Sequence, residues 1–143
     1  MNVAAVLKAK GRAVATAHAS ATLQEIAEQL ANRKIGAIVI VDDHGSVAGI
    51  VSERDVVRAV ASGGETNLKA AVSSVMTRNV VTCAESQTIE DLMAVMTKGR
   101  FRHVPVVDNG RLVGIVSIGD VVKHHIAEVE MEVSAMRGYL ATG

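Results

Sequence analysis

The chain has 143 residues, with 15 basic and 15 acidic side chains that balance to a formal net charge of zero. That length suits one compact domain and is short for two independent ones, and the balanced charge gives no basic field for nucleic acid or an anionic membrane. One Phe, one Tyr and no Trp leave no stacking platform for single strands, while the single cysteine, Cys83, excludes an intrachain disulfide and a CxxC motif.

Residues 1–12 read as an N-terminal segment. MNVAAVLKAKGRAV has no apolar run of signal-peptide length, and no later stretch approaches a membrane span, so a soluble cytoplasmic protein is expected. RAVAT is a short strand, and Thr22 opens a helix with Leu23, Ile26, Ala27 and Leu30 on one face. AIVIV and VAGIVS are β-branched apolar runs around the turn Asp43-His44-Gly45, a hairpin signal, and RDVVRAVAS closes the unit as a helix. Residues 63–77 form a linker with a short helix between Asn67 and Met76. Then NVVTC, TIEDLMAVMTK, HVPVV, RLVGIVS and GDVVKHHIAEVE give the same order again, with Asp108-Asn109-Gly110 as the turn. Strands apolar along their whole length are buried on both faces, so helices must cover them.

The duplication is visible residue by residue. Gly49, Ser52 and Asp55 return 65 positions later as Gly114, Ser117 and Asp120, and Thr16, Thr22, Glu25 and Asp42 are answered 66 positions later by Thr82, Thr88, Asp91 and Asp108. The slip falls within a turn, where a folding unit tolerates a length change. The fold expected is α/β (α+β): two pseudo-symmetric β-α-β-β-α repeats, 13–62 and 78–128, packed through their sheets. The last helix extends over 129–143. Val122, Ile126, Val129, Val133, Met136 and Leu140 make one seam along it, either lying back on its own domain or forming a subunit contact.

The repeated S-x-x-D has two readings. Ser52 is a natural helix N-cap with Asp55 at the third helical position, an arrangement worth about 1 kcal/mol that requires no ligand. Alternatively, a helix N-terminus receives anions, a carboxylate beside it suits the vicinal hydroxyls of a ribose, and the serine hydroxyl serves ribose or phosphate.

Two copies of this order carrying G-h-x-S-x-x-D, together with RHVPVVD and VMTRNVVT, resemble a tandem pair of cystathionine-β-synthase (CBS) domains, a Bateman module, over about residues 1–128. The resemblance implies two clefts that bind adenosyl ligands such as AMP, ATP, NAD(H) or S-adenosylmethionine. It also implies that the aspartate of one repeat faces the first two strands of the other. The first cleft would then combine Ile50, Ser52 and Asp55 with Val80, Thr82, Phe101, Arg102 and His103, with Arg78 and Arg54 nearby to meet phosphate. The second would combine Ile115, Ser117 and Asp120 with Val14, Thr16, Ile35, Gly36 and Ala37. Gly36 and Ala37 stand where the first cleft has Arg102 and His103, and Lys8, Lys10 or Arg12 is left to supply the missing charge.

No nucleophile–base pattern, P-loop or H-E-x-x-H occurs, so no catalytic residues are expected. His124 and His125 are adjacent on a helix and point about 100° apart, with no third ligand at a recognisable spacing, so no metal is expected either. The function implied is a stand-alone regulatory module that binds an adenine nucleotide, AMP foremost, and acts in trans on an effector protein. A homodimer of two pairs is implied as well. The alternatives are a constitutive scaffold with vestigial clefts and a small enzyme using NAD, for which no acid or base is identifiable.

Overall fold

The computed structural model describes residues 1–142. It opens with a helix that the sequence reading did not anticipate, α1 (Val3–Lys10), begun by Asn2, whose side chain accepts the Ala5 N–H at 3.0 Å. β1 (Thr16–Ala17) and α2 (Leu23–Arg33) follow, the helix starting where the Thr22 hydroxyl accepts the Glu25 N–H at 3.1 Å and ending where Lys34 turns left-handed, φ 55°. α2 buries Leu23, Ile26 and Leu30, the stripe its spacing predicts. β2 (Ala37–Val41) pairs antiparallel with β3 (Val47–Ser52) and parallel with β1. α3 (Glu53–Gly63) leaves β3 directly, and α4 (Glu65–Lys69) with a 3-10 turn at Val72–Ser74 forms the linker.

The second repeat follows the same plan. α5 (Ile89–Gly99) is capped by Thr88, whose hydroxyl accepts the Asp91 N–H at 3.1 Å, and ends at Arg100 with φ 57°. β4 (His103–Asp108) and β5 (Arg111–Ser117) join through Asn109-Gly110, φ 49° and 79°, the left-handed pair that a two-residue hairpin turn requires. Both hairpins slip register at matching points, between Ile40 and Val41 and between Val106 and Val107. The leading strands are shorter than RAVAT and NVVTC suggest. β1 keeps Thr16–Ala17, and its counterpart shrinks to a single parallel bridge between Cys83 and Val106. The residues ahead of them, Val14 and Ala15 in one repeat and Val80 and Val81 in the other, wall the clefts described below.

The packing of the two repeats rests on an exchange of arms. Val3, Val6 and Leu7 of α1 are fully buried in the second repeat's core with Leu92, Val104, Val106 and Val116. Val72 and Met76, which precede the second repeat, are buried in the first repeat's core with Leu23, Ile26, Ile38 and Val51. The backbone follows suit. Val3 and Ala4 N–H donate to Gln87 and Glu85 carbonyls, each at 2.9 Å, while Val72 and Ser73 N–H donate to Ala21 and Ala19 carbonyls at 2.7 and 3.2 Å. Such bonds satisfy amides that a first helical turn otherwise leaves open.

The motif glycines receive these arms. A Cβ on Gly114 would stand 2.6 Å from Leu7 Cδ2, and one on Gly49 would stand 2.6 Å from Met76 Sδ. The glycine of each G-h-x-S-x-x-D is therefore first a landing place for a side chain from the other repeat's arm.

α6 (Ile118–Thr142) runs for 25 residues, about 37 Å at 1.5 Å per residue. Val121 is its buried residue, whereas Val122, Ile126, Val129, Val133, Met136 and Leu140 are 42% to 70% exposed. The seam does not lie back on its own domain. No helix among the described residues is long and apolar enough to cross a membrane.

If α1 is integral to the core, Leu7→Ala should cost about 2–5 kcal/mol, as truncation of a fully buried leucine does. Urea denaturation checks this, and an unchanged midpoint would place α1 outside the cooperative unit.

Candidate functional site

Where β3 enters α3 and β5 enters α6, the two S-x-x-D motifs adopt one geometry. Ser52 N–H and hydroxyl donate to Asp55 Oδ2 at 2.8 and 3.2 Å, and Ser117 N–H and hydroxyl donate to Asp120 Oδ2 at 2.9 and 3.0 Å. The first helical amides are also taken: Glu53 N–H donates to the Gly36 carbonyl at 3.0 Å and Ile118 N–H to the Arg102 carbonyl at 2.7 Å. The capping reading is thus correct as local structure, and it leaves room for the other. Each carboxylate spends Oδ2 on its helix start, and Oδ1 has no hydrogen-bond partner among the described residues.

Asp55 opens onto a cavity of about 320 Å³, within the size range of small-molecule sites. Ile50, Ser52 and Asp55 of the first repeat meet Val80, Phe101, Arg102 and His103 of the second there. Two residues assigned to this cleft are elsewhere. Thr82 is exposed and off the wall. Arg78 donates from Nη2 to the Ser73 carbonyl at 3.0 Å, which turns its guanidinium back onto the linker. Arg54, Arg58 and Arg100 stand with Arg102 instead. Arg58 was legible, since it follows Arg54 by four residues on one helix face. Arg100 was not, because its place depends on the left-handed residue that ends α5.

The second cavity, about 450 Å³, is walled by Val14, Ile35, Gly36, Ala37, Ile115 and Ser117, with Lys10 and Arg33 added. Thr16 is exposed and outside it. Asp120 is also not on the wall, whereas Lys10, its ion-pair partner, is. Lys10 Nζ donates to Asp120 Oδ2 at 2.6 Å and to the Ile115 carbonyl at 2.9 Å. Burial alone would raise the Asp120 carboxyl, but Lys10 and the Ser117 donors outweigh it and hold the group below the usual carboxylate range. Arg12 pairs with Glu85. Neither Lys10 nor Arg12 is therefore free to serve a phosphate as the sequence reading allowed.

His103 and Gly36 belong to both walls. A Cβ on Gly36 would stand 3.1 Å from His103 Cε1 and Nε2, so the ring fills the space a side chain there would need. Burial lowers the His103 pKa, with Lys10 and Arg102 adding to the effect and Glu53 and Asp120 opposing it. Cys83 is 5% exposed, and burial pushes its thiol up to about 11, which leaves an inert core position. The metal-type atoms of Glu90, His125 and Glu128 lie within 4.8 Å of one another, a third-ligand grouping that spacing did not reveal. It lines neither cleft, and Glu128 is paired with the Met1 ammonium.

A duplicated β-α-β-β-α module with a cleft on either side of a shared wall is the class this geometry defines. The family model described as "CBS domain" matches residues 11–62 and 72–126, and the chain belongs to that family. Among solved structures it is similar to a CBS-domain-containing protein of Agrobacterium tumefaciens, 50% identical, TM-score 0.85, covering 87% of this chain and 99% of that one. It is also similar to a CBS-domain protein from Pyrobaculum aerophilum complexed with AMP, 28% identical, TM-score 0.76, covering 84% and 89%. A CBS domain pair in complex with 5-methylthioadenosine and S-adenosyl-L-methionine is 30% identical, TM-score 0.80, covering 90% and 98%. The matched segment spans 61% of the length of the curated relatives from Acidianus ambivalens and Arabidopsis thaliana.

The depressed His103 pKa has a stability consequence. With the folded value below the unfolded one near 6.5, the neutral ring favours the fold most above that pH. The contribution is lost as pH falls through the folded value. His103→Asn should remove this component, so the stability difference between wild type and variant should shrink on acidification from pH 7 to pH 5. Paired urea titrations at the two pH values check it, and a constant difference would mean the ring does not titrate in that window.

Proposed function

We propose that the protein is a regulatory module that binds an adenine nucleotide in its first cleft and carries no catalytic site. AMP is the foremost ligand, and ATP and NAD(H) are the alternatives. The observation that carries this reading is the unspent Asp55 oxygen facing a surplus of guanidinium. Arg54, Arg58, Arg100 and Arg102 line the cleft against the carboxylates of Glu53 and Asp55. A carboxylate accepts vicinal ribose hydroxyls, guanidinium pairs with phosphate, and Ile50, Val80, Val81 and Phe101 supply apolar walls for a base. The surplus positive charge suits a phosphate better than the sulfonium of S-adenosylmethionine. The relatives crystallised with AMP, and with 5-methylthioadenosine and S-adenosyl-L-methionine, support the adenosyl class.

The mechanism is linkage. A nucleotide that touches residues 13–62 on one side and 78–128 on the other stabilises one arrangement of the repeats, and an effector protein reads that arrangement in trans. The assembly is a homodimer. Its contact includes the α6 stripe, together with Val57 of α3, 67% exposed and the counterpart of Val122.

Two experiments test this. At an AMP concentration about 100-fold above the dissociation constant, one site adds about 2.7 kcal/mol of stability. Asp55→Ala should abolish that gain while leaving the ligand-free protein within about 1 kcal/mol of wild type. Full AMP stabilisation of the variant in a thermal melt would reduce Asp55 to a cap. For the assembly, Val133→Asp places an unpaired charge in the stripe and should convert a dimer to a monomer by light scattering. A monomeric wild type, or a variant of unchanged mass, overturns the contact.

A further inference from the structure

The two clefts differ at one backbone carbonyl. In the first repeat the Ile50 carbonyl accepts the Thr77 N–H at 2.9 Å, a bond from the arm that has just delivered Met76 onto Gly49. In the second repeat the matching carbonyl, Ile115, accepts from Lys10 Nζ at 2.9 Å. The difference follows from the arms. The linker arm makes only the 3-10 turn Val72–Ser74 and is extended by Thr77, whereas α1 stays helical through Lys10. Its backbone cannot pair with β5 there, and a side chain takes the carbonyl instead. Lys10 follows Leu7 by three residues, on the same helix face, and Leu7 is held over Gly114. The ammonium is thereby delivered to Asp120 Oδ2 at 2.6 Å, with the two side chains 30% and 22% exposed. Asp55, the equivalent carboxylate, has only its own Ser52 as a partner.

We propose that the second cleft is closed from within. The Lys10 ammonium stands on Asp120 where the first cleft presents Asp55 to a ribose, and one nucleotide binds per chain until Lys10 is displaced. Lys10 neutralises the carboxylate through Oδ2 and takes the Ile115 carbonyl as well, a charge-assisted pair that a neutral hydroxyl pair does not displace. Lys10 lines the cavity where Asp120, with its unpartnered Oδ1, does not, and the wall offers no other acidic side chain. Lys10 is thus a specificity-determining residue: it makes two clefts of common ancestry unequal. This inference rests on the reading of Asp55 as a ribose ligand, and the test separates the two.

AMP is titrated by calorimetry, well past saturation of the first cleft, into wild type, Lys10→Met, Asp55→Ala and the Lys10→Met, Asp55→Ala double variant, each shown folded by circular dichroism. Lys10→Gln replaces Lys10→Met should the latter not fold. The expected stoichiometries are one, two, zero and one. Two sites in wild type, or one site in both wild type and the Lys10 variants, overturns the internal closure while leaving nucleotide binding in place. Absence of AMP binding in all four proteins overturns the nucleotide reading and the closure with it. Binding that appears only once Lys10 is replaced supports the closure and assigns the first cleft no AMP.

Discussion

Leu7 over Gly114 and Met76 over Gly49 are the contacts on which the rest of the molecule depends. Each needs a strand position with no side chain and an apolar residue brought from the other repeat's arm, so one arrangement occurs twice. Fully burying a side chain such as Leu or Val contributes roughly 1.5–3 kcal/mol. Pulling the repeats apart would therefore expose Val3, Val6 and Leu7 on one side and Val72 on the other, all at 0% exposure. The clefts are the spaces left between two bodies held together in this way. Their walls keep a fixed spacing because the arms, and not the cleft residues, carry the packing.

The hairpins, the capped helices and the duplication were legible because each is written locally. Thr22 and Thr88 cap, Asn109-Gly110 turns, and the apolar runs alternate or repeat at the expected period. The arm exchange was not, although its signal is present: VAAVL at 3–7 and VSSVM at 72–76 place apolar residues identically. Periodicity reports that a segment has an apolar face and is silent on which sheet that face will cover. The candidate clefts were legible to a similar depth. Strand and helix-start residues such as Ile50, Asp55, Phe101 and His103 meet as the resemblance implied, since the backbone fixes them. Long side chains did not follow. Arg78 turned to a nearby carbonyl, and Lys10 reached across to Asp120, because a guanidinium or ammonium goes to whatever acceptor lies within its arc.

Symmetry in the backbone therefore coexists with asymmetry in charge. The two S-x-x-D motifs share the serine N–H and hydroxyl bonds to the aspartate Oδ2, yet one carboxylate looks onto arginines across an open cavity and the other is matched by an ammonium. His103, on the wall common to both, registers each side: burial lowers its proton affinity first, and Glu53 and Arg102 from the first cleft and Lys10 and Asp120 from the second then act on it. A change of charge in either cleft reaches the same ring.

The crossed arms also dictate an order of assembly during synthesis. Every buried residue of the first repeat's core lies between Leu23 and Met76, and the partly buried ones begin at Ala15, so that half can close while the ribosome is still making the other. The second core instead joins Val3 to Val121. Val3, Val6 and Leu7 must wait, uncovered, until the chain as far as Val121 has followed. At about 5–20 residues per second that delay lasts several seconds at least. For that interval the α1 arm needs shelter that its own half of the molecule does not provide.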